Sequence, residues 1–295
     1  MAYFDKSSLF RNGSDLSRPN RRSRKREAAP GASPTPPEKE PAEAHVDSRP
    51  ALAGDSSRDP VFDWPHRAKI GLLSGLDADT AKRLPDLVTK RIRLHKGQAL
   101  YSLDKPFTAL YAVLAGSFKT VVIGDDGEDQ VTGHHMVGDV IGLDGIGADV
   151  HHCTAIALED SEVCMMPFDR VEQAARDWPK FQHNFHRYLA REIARQRSLI
   201  QLLSTTSGEK RLVTFLLELS ERYHARGYSA SEFILRMKRE DIGSYLGLQL
   251  ETVSRLLSRL HSIGLIHVRT RTVKLVDRAA LKHLAHTGWR WGSSD

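Results

Sequence analysis

Gly243 and Gly247 stand four residues apart within residues 239–266, "REDIGSYLGLQLETVSRLLSRLHSIGLI", and this spacing restricts the fold more narrowly than anything else in the chain. Two short helices crossing at a sharp turn need such a pair. The first glycine lets the second helix pack close, and the second, past the end of the first helix, takes φ > 0. Ile242, Leu246, Leu248, Val253, Leu256 and Leu257 then form the buried seam. Leu250, Glu251, Ser254 and Arg255 are left on the outer face near the start of the second helix, three or four residues apart.

A helix pair of this kind lays its second helix in the major groove of a duplex, whose width admits one helix. Arg255 can donate two hydrogen bonds to guanine O6 and N7, and Glu251 can accept one from cytosine N4. Their spacing also allows an ion pair that fixes the arginine fork in the free protein. Thr252, Arg259 and His261 are better placed for phosphates or for packing. Against this stands a plain surface pair, worth ~0.5 kcal/mol at most.

The neighbouring sequence favours the duplex. "LIHVRTRTVKLV" reads as two short strands around a basic turn at 269–271, a wing carrying Arg269, Arg271 and Lys274. An amphipathic helix, "EKRLVTFLLELSERYHAR", precedes the pair, and a last helix near "RAALKHLA" closes the domain. Residues 207–295 hold 15 Lys and Arg against 9 Asp and Glu, whereas residues 61–206 hold 17 against 19. The surplus therefore sits beside the helix pair, which suits a polyanion partner.

Upstream, residues 1–60 are rich in Pro, Ser, Ala and charge and read as a disordered tail, whose basic run at 21–26 is a solvated segment or a nucleic-acid contact. A helical lead-in at 64–93 opens a β-rich region extending to residue 176. There Gly97, Gly116, Gly127, Gly138 and Gly142 interrupt short apolar runs, which predicts a small antiparallel barrel or roll. Residues 124–130, "GDDGEDQ", read as an exposed hairpin turn. Residues 177–204 read as one long helix with Phe181, Phe185, Leu189, Ile193, Gln196, Ile200 and Leu203 in a stripe. With its charged flanks that stripe predicts a coiled-coil seam and a homodimer. The expected domains are 61–176, 177–206 and 207–285, with a tail at 286–295. No apolar run is long enough to span a bilayer, and the two cysteines, Cys153 and Cys164, fit a reducing cytoplasm.

These residues carry a family resemblance. "DIGSYLGLQLETVSRLLSRLHSIGLI", "LYAVLAGSFKT", "GDVIGLDGIG" and "SEVCMMPF" resemble the Crp/Fnr transcription regulators, the Fnr branch most closely, over residues 71–285. The resemblance implies an α+β architecture: an N-terminal antiparallel β-roll of the cyclic-nucleotide-binding jelly-roll type, a long dimerisation helix and a C-terminal winged helix-turn-helix. It further implies a homodimer on a palindrome, with Glu251, Ser254 and Arg255 reading a TTGAT-type half-site. Leu250 stands where the catabolite activator carries an arginine, which favours the Fnr-like site. The hairpin residues Ile123, Gly127, Glu128 and Asp129 correspond to a contact with RNA polymerase in Fnr-like activators.

The sensory half departs from the family pattern. A [4Fe–4S] cluster takes four thiolates and the chain has two, so no such cluster is expected. Cys164 matches the family's roll cysteine and is a candidate redox thiol, although its apolar neighbours suit simple packing. The phosphate cassette reads "GDVIG", with no arginine in "HHCTAIAL", so a cyclic nucleotide is not expected either. His134 and His135, or His151 and His152, are candidates for haem or a metal, but neighbouring strand residues face opposite sides and cannot chelate as pairs. Two rivals remain: a metal-dependent cupin-like enzyme, for which "HH" lacks the H-x-H spacing, and a constitutive, effector-free DNA binder.

Overall fold

The computed structural model describes residues 71–73, 83–124, 127 and 129–288. The expectations for residues 1–60 with their basic run, for most of the lead-in at 64–93, for Glu128 and for the tail beyond residue 288 lie outside the described residues.

After a short helix, α1 (Leu84–Leu87), two four-stranded antiparallel sheets form a roll. One sheet runs β1 (Lys90–Leu94), β8 (Ser161–Pro167), β3 (Ala109–Ala115), β6 (Val140–Ile141). The other runs β2 (Ala99–Tyr101), β7 (Thr154–Ala157), β4 (Ser117–Ile123), β5 (Asp129–Met136). Gly97, Gly116, Gly127, Gly138 and Gly142 all hold positive φ, between 79° and 100°, at the corners between strands. A side chain at any of them would strain the turn.

The apolar run of β3 is continuous because both its faces are covered. Ala109, Tyr111 and Val113 point between the sheets, toward Phe118, Ile141 and Val163. Leu110 and Ala112 point the other way, toward Met166, Val171 and Phe181. That second face is roofed by α2 (Phe168–Asp177) and the long α3 (Pro179–Thr205). The sequence reading assigned residues 168–176 to the roll without a helix; α2 buries only Val171 and Ala174, too few to show a period. Pro179 at the first turn of α3 separates the two helices.

The C-terminal part comprises α4 (Gly208–His224), β9 (Glu232–Ile234), α5 (Arg239–Leu246), α6 (Leu250–Ser262), β10 (Ile266–Arg269), β11 (Thr272–Leu275) and α7 (Arg278–Thr287). Its core gathers Leu212, Leu216, Ile242, Leu246, Val253, Leu257, Val273 and Leu281. Val121, Val131 and Met136 of the β4–β5 hairpin belong to the same cluster, so one apolar core continues from the roll into the helix pair. The expected two-stranded wing has a third strand, β9, paired with β11. The last helix runs to Thr287, two residues past the expected boundary at 285, with Asp277 accepting a hydrogen bond from the Ala280 amide at its start.

A polar junction ties these parts together. Asp139, 6 % exposed, pairs with Arg222 of α4 and with Arg226 in the turn just past it, and also accepts from the Met136 amide. Arg195 of α3 and Arg222 both donate to the His134 carbonyl, and the Tyr188 hydroxyl accepts from the Val140 amide. Burial works to raise the Asp139 pKa, but the guanidiniums of Arg222, Arg226 and Arg195 overcome it and hold the carboxyl well below its usual range.

Candidate nucleic-acid interface

The helix pair forms as its glycines require. Gly247 ends α5 at φ 61°, and the Leu248 amide turns back to the Gly243 carbonyl at 2.8 Å. A Cβ on Gly243 would lie 2.5 Å from the Leu248 carbonyl oxygen. The close approach is therefore made by the turn itself, rather than by the second helix. At the start of α5 the Asp241 carboxylate accepts from the Lys238 amide and pairs with Lys119 of β4 at 2.7 Å.

On α6, Val253, Leu256, Leu257 and Leu260 are buried against α4 and α5. Glu251 and Arg255 are exposed, Ser254 and Thr252 half-buried, and Leu250 is 44 % exposed. The three expected base-reading side chains thus share the free face of the first turns of α6. The ion pair that their spacing allows is a correction: among the described residues, Glu251 and Arg255 do not pair. Both are solvated, where such a pair gains little over water. Arg259 is half-buried, and His261 accepts from the Val268 amide at 3.3 Å, bracing the wing. The wing turns at Thr270, φ 56°, and exposes Arg269, Arg271 and Lys274 while burying Ile266, Val273 and Leu275. Its cations and the α6 face together offer a basic surface beside two groups able to tell bases apart.

The stripe on α3 divides in two. Phe185 is half-buried and packs in the roll's own cluster beside Phe181, so it does not belong to a free seam. Leu189 and Leu203 are half-buried; Gln196 is exposed, and Ile193 and Ile200 are 58 % and 66 % exposed. On the hairpin, Ile123 is 64 % exposed and Gly127 lies in open space. The Asp129 carbonyl accepts from the Ser244 hydroxyl, which in turn accepts from the Val131 amide at 2.8 Å. This docking of the hairpin onto α5 was not foreseen, since its partners lie more than 110 residues apart.

Both thiols are buried. Cys164 is 0 % exposed and burial pushes it up to about 12; Cys153 is pushed to about 12 by burial and the nearby Asp144. Such thiols stay protonated, the setting of packing residues rather than nucleophiles. His134 is buried on β5, whereas His151 and His152 precede β7 and are not strand neighbours as the sequence reading had them. Among the described residues no group of three or more His, Cys, Asp or Glu is arranged to hold a metal ion. Nor is any helix among them long and apolar enough to cross a membrane.

Residues 210–284 match the Crp-like helix-turn-helix domain, and residues 91–177 match the cyclic nucleotide-binding domain. The chain is 45 % identical over 210 residues to the transcriptional regulatory protein btr of Bordetella pertussis, covering 71 % of this chain and 87 % of that one. It is 37 % identical over 218 residues to the transcriptional activator protein anr of Pseudomonas aeruginosa, covering 74 % and 89 %. The solved structure of FixK2 from Bradyrhizobium japonicum superposes with a TM-score of 0.62 at 32 % identity, over 67 % of this chain and 98 % of that one.

The second of those domain matches raises the question of a nucleotide. In the segment resembling a phosphate cassette, Asp144 is drawn onto residues 151–153: it accepts from the His152 amide at 2.8 Å and from the Tyr101 hydroxyl at 3.2 Å. His151 stacks on Tyr101 with ring centres 3.6 Å apart, its Nδ1 lying 3.5 Å from Asp144. Burial works to raise the Asp144 pKa, but the adjacent His151 imidazole and hydrogen bonds from the His152 amide and the Cys153 thiol lower it to about 2. An ionised carboxylate without an arginine does not fit a phosphate.

Proposed function

The chain belongs to the Crp/Fnr family of transcription regulators, and on that premise we propose that it acts as a homodimer reading a two-fold DNA site of the TTGAT type. It is a DNA-binding regulator with a β-roll, a long helix and a helix-turn-helix. The observation that carries the finer reading is the face of α6: Glu251 and Arg255 stand exposed, with the half-buried Ser254 beside them, at its first turns, opposite the buried Val253, Leu256, Leu257 and Leu260. In this role Arg255 and Glu251 select guanine and cytosine, while Arg269, Arg271 and Lys274 grip phosphates. The outward Ile193, Gln196 and Ile200 of α3 supply the dimer seam, and two such subunits place their reading helices one helical turn apart.

Mutants separate the two kinds of contact. Arg255→Ala costs ~1–3 kcal/mol on the specific site and relaxes the preference at one guanine. Lys274→Ala instead weakens binding to specific and random duplexes alike and reduces the salt slope by ~1. Equal losses on both duplexes for both variants contradict this division of roles.

The exposed tip of the hairpin, with Ile123, Gly127 and Asp129, is where RNA polymerase is engaged in this reading. Ile123→Ala is expected to lower transcription from a bound promoter while leaving DNA affinity intact; undiminished transcription removes the contact. The signal entering the roll is neither a [4Fe–4S] cluster nor a cyclic nucleotide, given two buried thiols and the Asp144 carboxylate. The same observation supports the effector-free alternative, which a thermal-shift ligand screen distinguishes.

A further inference from the structure

Arg211, in the first turns of α4, joins the ends of two other helices. Its Nε donates to the Thr206 carbonyl at 3.1 Å and one terminal nitrogen donates to the Leu203 carbonyl at 2.7 Å. The other terminal nitrogen donates to the carbonyls of Leu246 at 3.1 Å and Gly247 at 3.3 Å. Leu203 and Thr206 lie at the C-terminal end of α3, and Leu246 and Gly247 at the C-terminal end of α5. The last carbonyls of a helix have no partner within it and carry the negative end of its dipole. One guanidinium therefore satisfies two such ends at once. The packing is close: a Cβ on Gly247 would lie 3.3 Å from the Arg211 guanidinium and 4.0 Å from Leu203.

We propose that Arg211 is a positioning residue for DNA recognition: its planar fork fixes the angle between the dimerisation helix and the helix-turn-helix, and so sets the half-site spacing the dimer accepts. This rests on the dimeric DNA-binding reading above. In a two-fold dimer the separation of the reading helices follows from how each head is mounted on the helix at the dimer axis. The mounting is a short link, Thr206 and Ser207, between α3 and α4. A rigid bidentate fork transmits orientation where a flexible ammonium, a point charge on a mobile stem, does not. Apart from this link, Arg211 touches both ends of the joint, and it is half-buried.

The test is a spacing profile. Affinities of the full-length wild type, Arg211→Gln and Arg211→Lys are measured on palindromes with half-sites moved one and two base pairs closer or further apart. Each added base pair turns one half-site by ~35° and shifts it by ~3.4 Å. The wild type is expected to lose ~10-fold or more in affinity per base pair away from its optimum. Both variants are expected to flatten that profile to within ~3-fold, lysine included because the fork is lost though the charge remains. If Arg211→Gln does not fold, Arg211→Lys alone decides. A wild-type profile in a folded variant, even one lowered uniformly at every spacing, overturns the assignment. Wild-type protein that prefers no palindrome at any spacing overturns the dimeric reading itself, and this assignment with it.

Discussion

Asp139→Ala is expected to destabilise the fold by ~3–5 kcal/mol, the loss typical of removing one partner from a buried ion pair. Arg222 and Arg226 would then face each other 15 % and 14 % exposed with no carboxylate between them. The damage extends beyond charge, because Asp139 also accepts from the Met136 amide at the β5–β6 corner. The same carboxylate gives the fold an acid limit. Its folded pKa is depressed, so its contribution is fully present above the unfolded value of ~4 and is lost as pH falls through the lower folded value. Urea midpoints of wild type and variant, measured from pH 7 downward, should converge under acid. Equal midpoints at pH 7 would show that the junction contributes nothing.

Gly243→Ala is the second large effect, about 3 kcal/mol of lost stability, the upper end for overpacking. On an exposed helix the same change would be favourable by ~1 kcal/mol. Here the added Cβ meets a backbone carbonyl, Leu248 O, at 2.5 Å, and that turn is itself held by the Leu248 amide bond back to Gly243. Relief requires α5 and α6 to separate, which tilts Glu251 and Arg255 away from their bases. Specific DNA binding should therefore fall further than stability does, as seen by comparing melting and titration of one preparation. A variant with unchanged stability and affinity would mean that the turn is looser than its geometry states.

The parts of the fold legible in the sequence were those with a local cause. Gly243 announces a helix corner because the backbone there leaves no room for a side chain, and Gly247 and the five roll glycines mark turns because their φ is positive. The long helix, expected at 177–204 and found at Pro179–Thr205, was visible through six steps of three or four residues along a largely apolar stripe. By contrast β9 is three residues with one of them, Phe233, buried, too short to show alternation. Phe185 continues the α3 stripe without a break, yet the roll claims it, because period alone does not say which neighbour covers a face.

The contacts that mount the reading head were not legible at all. Asp139 follows a turn glycine and reads as part of the corner, while its partners Arg222 and Arg226 lie 83 and 87 residues later. Arg211 looks like any charge in "GEKRL", and its carbonyl partners carry no side-chain signature. Interactions with the backbone leave no trace in residue type, so the reading residues were recognisable and the joint that aims them was not.

The central claim is that the free face of α6 distinguishes one base sequence from another. The direct measurement compares dissociation constants of the purified protein, at one fixed salt concentration, for a TTGAT-type palindrome and for a scrambled duplex of equal length and composition. A ratio of ~10³ or more in favour of the palindrome is predicted. Equal affinity for the two duplexes would contradict the account.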